Sequence, residues 1–344
     1  MRITYRMMTS KYSTNLNSLS SDLDKLNTQV ATGRKYARTS EDVSSAVRGY
    51  QIRRNLSKLE GYQDNIKHAT DFLTNSETTL GQIEASLSEA ADKILQGMNG
   101  TQSKDDRAII AKELDTIQDQ LFETLNTSVS GVFLFGGSNN QKPFTRINEG
   151  LPTEKLVYNS KTLEELDAVV NEAEIKELKD DSLYVDIGLG VEFEGPPDNN
   201  VKRNTVFNYS IPGINFVGNG KTTISSGEVS NNFYDLIGSI KEELLKDDGT
   251  YSDQKIDEMY GLLKESIQKS YQTTTQVGSK TNYLEFMTER YETQNYNLQD
   301  RQVEVEGVDA AYTYIAFQSQ KVAYQAALQM GQSVVQQSVF DYMS

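Results

Sequence analysis

Residues 12–30 read YSTNLNSLSSDLDKLNTQV, where Tyr12, Leu16, Leu19, Leu23, Leu26 and Val30 recur at alternating steps of four and three. That rhythm is the seam of a heptad helix. The stripe is narrow and its flanks are polar, so the helix has to lay it against another helix. Gly33 follows, suited to the left-handed residue that closes a helix, and then the polar link RKYARTSED. Ser40 is the expected cap of the next helix. Glu41 and Asp42 fall in its first turn, where the helix dipole favours carboxylates.

Working outward, Ile52, Leu56, Leu59, Ile66, Leu73, Leu80, Leu87 and Ile94 keep helical register until Gly97, Asn99 and Gly100. A further helix carries Ile110, Leu114, Ile117, Leu121 and Leu125. The other end of the chain mirrors this arm. Phe233, Ile237, Ile240 and Leu244 predict a short helix, and Ile256, Leu263, Ile267, Thr274, Val277, Leu284, Tyr291 and Leu298 a long one. After Gly307, Val308, Ile315, Val322, Ala326, Met330 and Val334 share one side of a last helix rich in alanine.

Between the arms the composition changes. All five prolines, Pro143, Pro152, Pro196, Pro197 and Pro212, lie in this middle stretch, where each removes a backbone donor and breaks helices. KLVYNS, SLYVDIGLGVEFE and NTVFNYSI are β-branched and aromatic runs between Gly, Asn and Pro, which predicts strands. TLEELDAVVNEAEIKEL, 162–178, is the exception and fits one short helix. The fold class expected is mainly α: a long antiparallel helical rod from paired N- and C-terminal arms, with an inserted β-rich (α+β) outer domain. The expected boundaries are 1–40 for an N-terminal helix, 41–140 and 231–304 for the two parts of the rod, 141–230 for the insert and 305–344 for a C-terminal helix.

Composition narrows the function classes. The 344 residues carry 49 acids and 34 bases, a net charge of -15, which argues against a nucleic-acid partner. Between 151 and 200 stand 13 acids and 4 bases, so much of the acidity belongs to the insert. There is no Cys, which removes disulfides and thiolate chemistry, and the single histidine, His68, has no ligand partner nearby in sequence. No apolar run is long enough to cross a bilayer, and the first residues lack the apolar core of a secretory signal, so no membrane is expected. GNGKTT at 218–223 lacks the glycine a phosphate-binding loop needs with four residues between it and Gly220, where Asn215 stands, so Asn219-Gly220 is expected to be a tight hairpin turn. GVFLFGGSNN at 131–140 has no dinucleotide spacing and is expected to turn the chain out of the helices. Asp180, Asp181, Asp186, Glu192 and Glu194 lack the spacing of a calcium loop and read as a solvated cluster. Tyr283, Tyr291 and Tyr296 are expected to serve packing and interface contacts. No catalytic residue, cofactor or metal site is expected, and an enzyme grafted into the insert would need convergent polar groups where the sequence offers only a surplus of acids.

The two ends carry a resemblance. MRIT at 1–4, Met7-Met8, Leu16-Asn17, LNTQVATGRK at 26–35 and FLFGGSNNQKPF at 133–144 look like the flagellar hook-associated protein 3 family. So do VEGVDAAYTYIAFQSQKVAYQAAL at 305–328 and QSVFDYMS at 337–344. The insert is not matched. One departure is Ser40-Glu41-Asp42-Val43, where the family commonly carries a proline after its acids. The resemblance implies a structural adaptor at the hook-filament junction, outside the cell, exported through the flagellar type III apparatus with a cytoplasmic chaperone. It implies a homo-oligomeric junction ring, with hook-associated protein 1 on the hook side and flagellin on the filament side. The terminal helices would form an inner tube, with Tyr12, Leu16, Leu19, Leu23, Leu26 and Val30 packing on Ile315, Val322, Ala326 and Val334 across subunits. Flagellin, the filament subunit with the same layout, is the alternative.

Overall fold

The structure, a computed structural model, describes residues 2–98, 103–148, 154–166, 170–195, 200–247 and 250–340, without the side chains of residues 2–5 and 332–340. Its helices are α1 (Arg2–Thr32), α2 (Val43–Gly97), α3 (Lys104–Leu125), α4 (Glu172–Lys179), α5 (Ile214–Val217), α6 (Phe233–Leu244), α7 (Asp253–Glu306) and α8 (Ala310–Phe340). The fold is mainly α with a small strand-containing region, the class the sequence predicts. Two compact units divide the chain, residues 1–60 with 291–344, and residues 61–290.

In the first unit α1 lies on α8. Gly33 has the left-handed φ of 70° expected of it, and its N–H donates to the Gln29 carbonyl at 2.8 Å. The cap of α2 differs from expectation. The carboxylate of Asp42, not the hydroxyl of Ser40, accepts from the Ser45 N–H at 2.9 Å. Those hydrogen bonds from Ser45 hold the Asp42 carboxyl below its ordinary range. Ser40 instead falls in a turn closed by the Glu41 N–H on the Arg38 carbonyl, because Asp42 alone stands one residue before the first helical position.

In the second unit the heptad positions Leu73, Leu80, Ile83, Leu87 and Ile94 of α2 are fully buried. Met259, Leu263, Val277 and Leu284 of α7 are buried as well. Within this apolar interior Glu84 accepts from Thr274 at 2.6 Å and from Ser270 at 3.4 Å, so α2 and α7 face one another across a polar layer. α3 packs on α6, with the Gln118 amide donating to the Tyr234 carbonyl at 3.0 Å. Ser103 and Asp106 form a reciprocal capping box at the start of α3. Asn232 caps α6 by accepting from the Asp235 N–H.

The strands are short. β1 (Ser128–Val129) and β2 (Val132–Phe133) form a hairpin whose turn uses Ser130 and Gly131 at positive φ. β3 (Phe144–Ile147), β4 (Lys155–Tyr158) and β5 (Lys161–Thr162) make an antiparallel sheet with Phe144 opposite Tyr158. β6 (Tyr184–Val185) pairs with β7 (Phe207–Asn208), and β8 (Lys221–Ile224) with β9 (Gly227–Ser230). A small aromatic core of Phe135, Phe144, Tyr158 and Phe216 holds this region, and Gly213 is needed because any Cβ there would overlap the Phe144 ring.

Two local expectations are corrected here. Asn219 and Gly220 do not turn a hairpin. They lead from α5 into β8, and the β8–β9 turn falls at Ser225-Ser226 instead. Asn219 is held there by its side-chain bond to the Leu166 carbonyl at 3.0 Å. The stretch 162–178 is not one helix either. Among its described residues Leu163–Glu165 form a 3₁₀ turn, with Leu163 and Leu166 buried, and α4 begins at Glu172.

Candidate functional site

The heptad stripe of α1 is where sequence pattern and structure meet. Tyr12, Leu16, Leu19, Leu23 and Leu26 are half-buried between exposed neighbours, while Val30, the last of the series, is exposed. The face of α8 turned inward carries Thr313, Phe317, Gln320, Tyr324, Ala327 and Gly331, also at steps of four and three. Two complementary heptad seams therefore close within one chain. Tyr12 reaches furthest across, its hydroxyl donating to the Ala327 carbonyl at 2.8 Å. Small residues at 327 and 331 leave room for that ring.

Ile315, Val322 and Ala326 are not on this inner side. They lie nearly half a helical turn away, with Ile315 68% and Val322 63% exposed, and Met330 joins them. Within the chain they do not meet the α1 stripe. The side chain of Val334 lies outside the described residues. Pattern reading found α8 and its exposed apolar side but missed the facing side, where Ala, Gly, Gln and Thr carry little hydrophobicity. The signal available was their spacing.

A second feature fastens this pair. The link after α1 runs antiparallel to the link before α8, bridged at Arg34 and Gly307. The Lys35 N–H donates to the Glu306 carbonyl at 2.8 Å, and the Val308 N–H donates to Gly33 at 3.0 Å. The Glu306 side chain is buried beside Gly49 and pairs with Arg53 at 3.4 Å. Partial burial and this carboxylate hold the Tyr36 phenol above its ordinary value. A Cβ at Gly49 would overlap the Glu306 carboxylate, which would have to move aside.

The remaining expectations concern His68, the acids of the insert and three tyrosines of α7. His68 is exposed, on the rim of a groove of about 480 Å³ that includes Phe72 and Tyr209. The acids of the insert are engaged locally. Asp180 pairs with Arg203 at 3.1 Å and Glu192 with Lys202 at 2.8 Å, while Asp181 accepts from the Ser138 N–H at 3.0 Å. Among the described residues no three His, Cys, Asp or Glu side chains gather where they could hold a metal ion, and no helix is long and apolar enough to cross a membrane. Tyr291 is buried, Tyr283 stacks on Phe207 with ring centroids 5.7 Å apart, and Tyr296 is exposed.

Comparison with known proteins adds to this geometry. Residues 3–140 match the bacterial flagellin N-terminal helical region. A flagellar hook-associated protein 3 of Salmonella typhimurium is 29% identical over 152 residues, which is 44% of this chain and 48% of that protein. The Escherichia coli protein of the same name is 26% identical over 147 residues, 42% of this chain and 46% of its own length. The matched stretch thus spans about half the length of these curated relatives. Among solved structures, a Vibrio parahaemolyticus protein described as flagellar hook-associated superposes with a TM-score of 0.60 at 18% identity, covering 78% of this chain and 100% of that one. Flagellar hook associated protein-3 from Legionella pneumophila gives a TM-score of 0.52 at 14% identity, covering 74% and 97%. These structures share the fold. The chain is similar to flagellar hook-associated protein 3 and carries a flagellin-like N-terminal region, as its terminal motifs imply.

Proposed function

We propose that this chain is a structural subunit of the bacterial flagellum, acting at the junction between hook and filament. The observation that carries the reading is the state of α8: one side closes the α1 seam, and the opposite side leaves Ile315, Val322 and Met330 in water. A helix with a second, uncovered apolar stripe gains by lying against another subunit. Burying one Ile or Val side chain is worth about 1.5–3 kcal/mol, and a closed ring repeats that gain at every joint. Similarity to hook-associated protein 3 supports a place in the flagellum; in this reading the joint sits at the hook-filament boundary, with hook-associated protein 1 on one side and flagellin on the other. The same reading has the subunit exported through the flagellar type III apparatus with a cytoplasmic chaperone. Residues 1–40 and 305–344 then form the inner helices, and the strand-containing stretch 141–230 faces outward.

The test is Val322→Asp. The substitution adds a charge to a side chain that is already exposed, so the purified chain keeps its helicity. In the bacterium the variant is exported, yet flagella stop at the hook. Motile cells with normal filaments would sink the reading. The match to the flagellin N-terminal region favours one other assignment, the filament subunit itself. Long filaments formed by the purified chain alone would establish that alternative.

A further inference from the structure

Two helices of the first unit each expose a stripe that nothing in the unit covers, and the two stripes are opposite in charge. On α2, Val43, Val47, Tyr50, Arg54 and Lys58 follow one another at steps of four, three, four and four. All five are exposed, Tyr50 by 64%, across the helix from the buried Gly49 and the half-buried Ile52 and Leu56. Tyr50, Arg54 and Lys58 also border a shallow surface depression. Arg54 and Lys58 form no ion pair among the described residues, whereas Arg53 beside them is committed to Glu306.

On α7, Glu292, Tyr296, Asp300 and Val303 follow at steps of four, four and three. They too are exposed, Tyr296 by 73%, on the side away from the buried Tyr291. Neither Glu292 nor Asp300 forms an ion pair among the described residues.

We infer that these stripes are the two halves of one contact between copies of this chain, the Tyr50–Arg54–Lys58 side of α2 in one copy lying on the Glu292–Tyr296–Asp300 side of α7 in the next. Charge decides the occupant. At a net -15 two copies repel unless opposite charges are set face to face, and here an uncommitted basic stripe and an uncommitted acidic stripe each carry an aromatic ring. Where the two stripes of a copy meet two different neighbours, the contact is head-to-tail and repeats around a ring or along a helix. The inference rests on the self-assembling reading above and adds the lateral surface and its salt dependence.

The experiment uses the full chain, purified in light and heavy isotope forms, mixed at low salt and treated with a carbodiimide that joins carboxylates to amines without a spacer. The result expected is a mixed-isotope peptide joining Lys58 of one copy to Glu292 or Asp300 of another. In sedimentation, Arg54→Glu with Lys58→Glu, or Glu292→Lys with Asp300→Lys, each weakens self-association about tenfold. The chain carrying all four changes regains it, and helicity by circular dichroism is unchanged throughout. Absence of the mixed peptide, reversals without effect, or no rescue in the fourfold variant overturns the inference. Failure here is separable from failure of the flagellar reading. A protein absent from flagella that still shows rescue in solution sinks the location alone, and a protein found at the junction without rescue sinks this contact alone.

Discussion

The hydroxyl of Tyr12 occupies the space that a side chain at Gly331 would need. It is held there by the Ala327 carbonyl, 315 residues away in sequence. Aromatic ring and glycine are thus a matched pair across the α1–α8 seam, and the match is testable from either side.

Gly331→Val forces the Tyr12 ring out of its place. Overpacking of this kind costs about 1–3 kcal/mol. The expected result is an α1 that is cut by protease at much lower concentration, while residues 61–290 resist as before. Tyr12→Phe removes only the hydrogen bond and costs about 1 kcal/mol. Equal protease resistance of α1 in wild type and Gly331→Val would contradict the packing described.

Glycines in α2 separate by environment. Gly49→Ala drives a methyl into the Glu306 carboxylate and disturbs its pairing with Arg53, so the thermal midpoint drops. Gly61→Ala, where nothing lies within 4 Å, removes backbone freedom from the unfolded chain and is expected to stabilise. The gain is about 0.5–1 kcal/mol. Melting curves of the two variants should move in opposite directions.

Glu84 tests the polar layer between α2 and α7. Glu84→Ala orphans the Ser270 and Thr274 hydroxyls that donate to it, for a loss of about 1–3 kcal/mol. Glu84→Leu combined with Ser270→Ala and Thr274→Val replaces every partner with apolar groups and recovers most of that loss. Denaturant midpoints of the single and triple variants give the comparison. A triple variant less stable than Glu84→Ala would mean the layer acts through something other than mutual satisfaction.

Asp235 supplies a pH dependence. Burial raises its carboxyl pKa above the ordinary value, against the lowering effect of hydrogen bonds from Asn232 and the Leu156 N–H. A carboxyl raised in the folded state binds its proton more tightly there than in the unfolded chain. Its contribution is therefore most favourable below the ordinary carboxyl value and declines as pH rises through the raised folded one. The stability of wild type minus that of Asp235→Asn should accordingly shrink from about pH 4 to about pH 7. A difference that grows over this interval would reverse the sign argued.

How much of this was legible in the sequence follows from where the information sits. The seam Tyr12 to Leu26 could be read because spacing is a one-dimensional property and leucine stands out among polar neighbours. The helical arms and the α2 and α7 cores were legible for the same reason. The inner side of α8 was not, because Ala327 and Gly331 contribute room and not hydrophobicity, and room has meaning only beside Tyr12. The cap failed by two residues at Ser40 because two capping types, Ser40 and Asp42, stand close together and compete, and only the exact start of α2 at Val43 selects between them. In the middle stretch, β-branched runs announced strands correctly but not their brevity. β6 and β7 pair over two residues each, since the flanking backbone is bound by side chains such as Asn208, Asp186 and Thr205.

The antiparallel bridge that ties Gly33 and Lys35 to Glu306 and Val308 has a consequence for the order in which the chain is made and delivered. The first helix of the chain receives its partner last. Until the final residues emerge, Leu16, Leu19 and Leu23 have nothing to lie on, and an incomplete chain keeps an open greasy edge near its beginning. Any quality-control factor or protease that recognises such an edge can therefore tell, from α1, whether α8 has arrived. The packing of α1 thus reports whether α8 is in place.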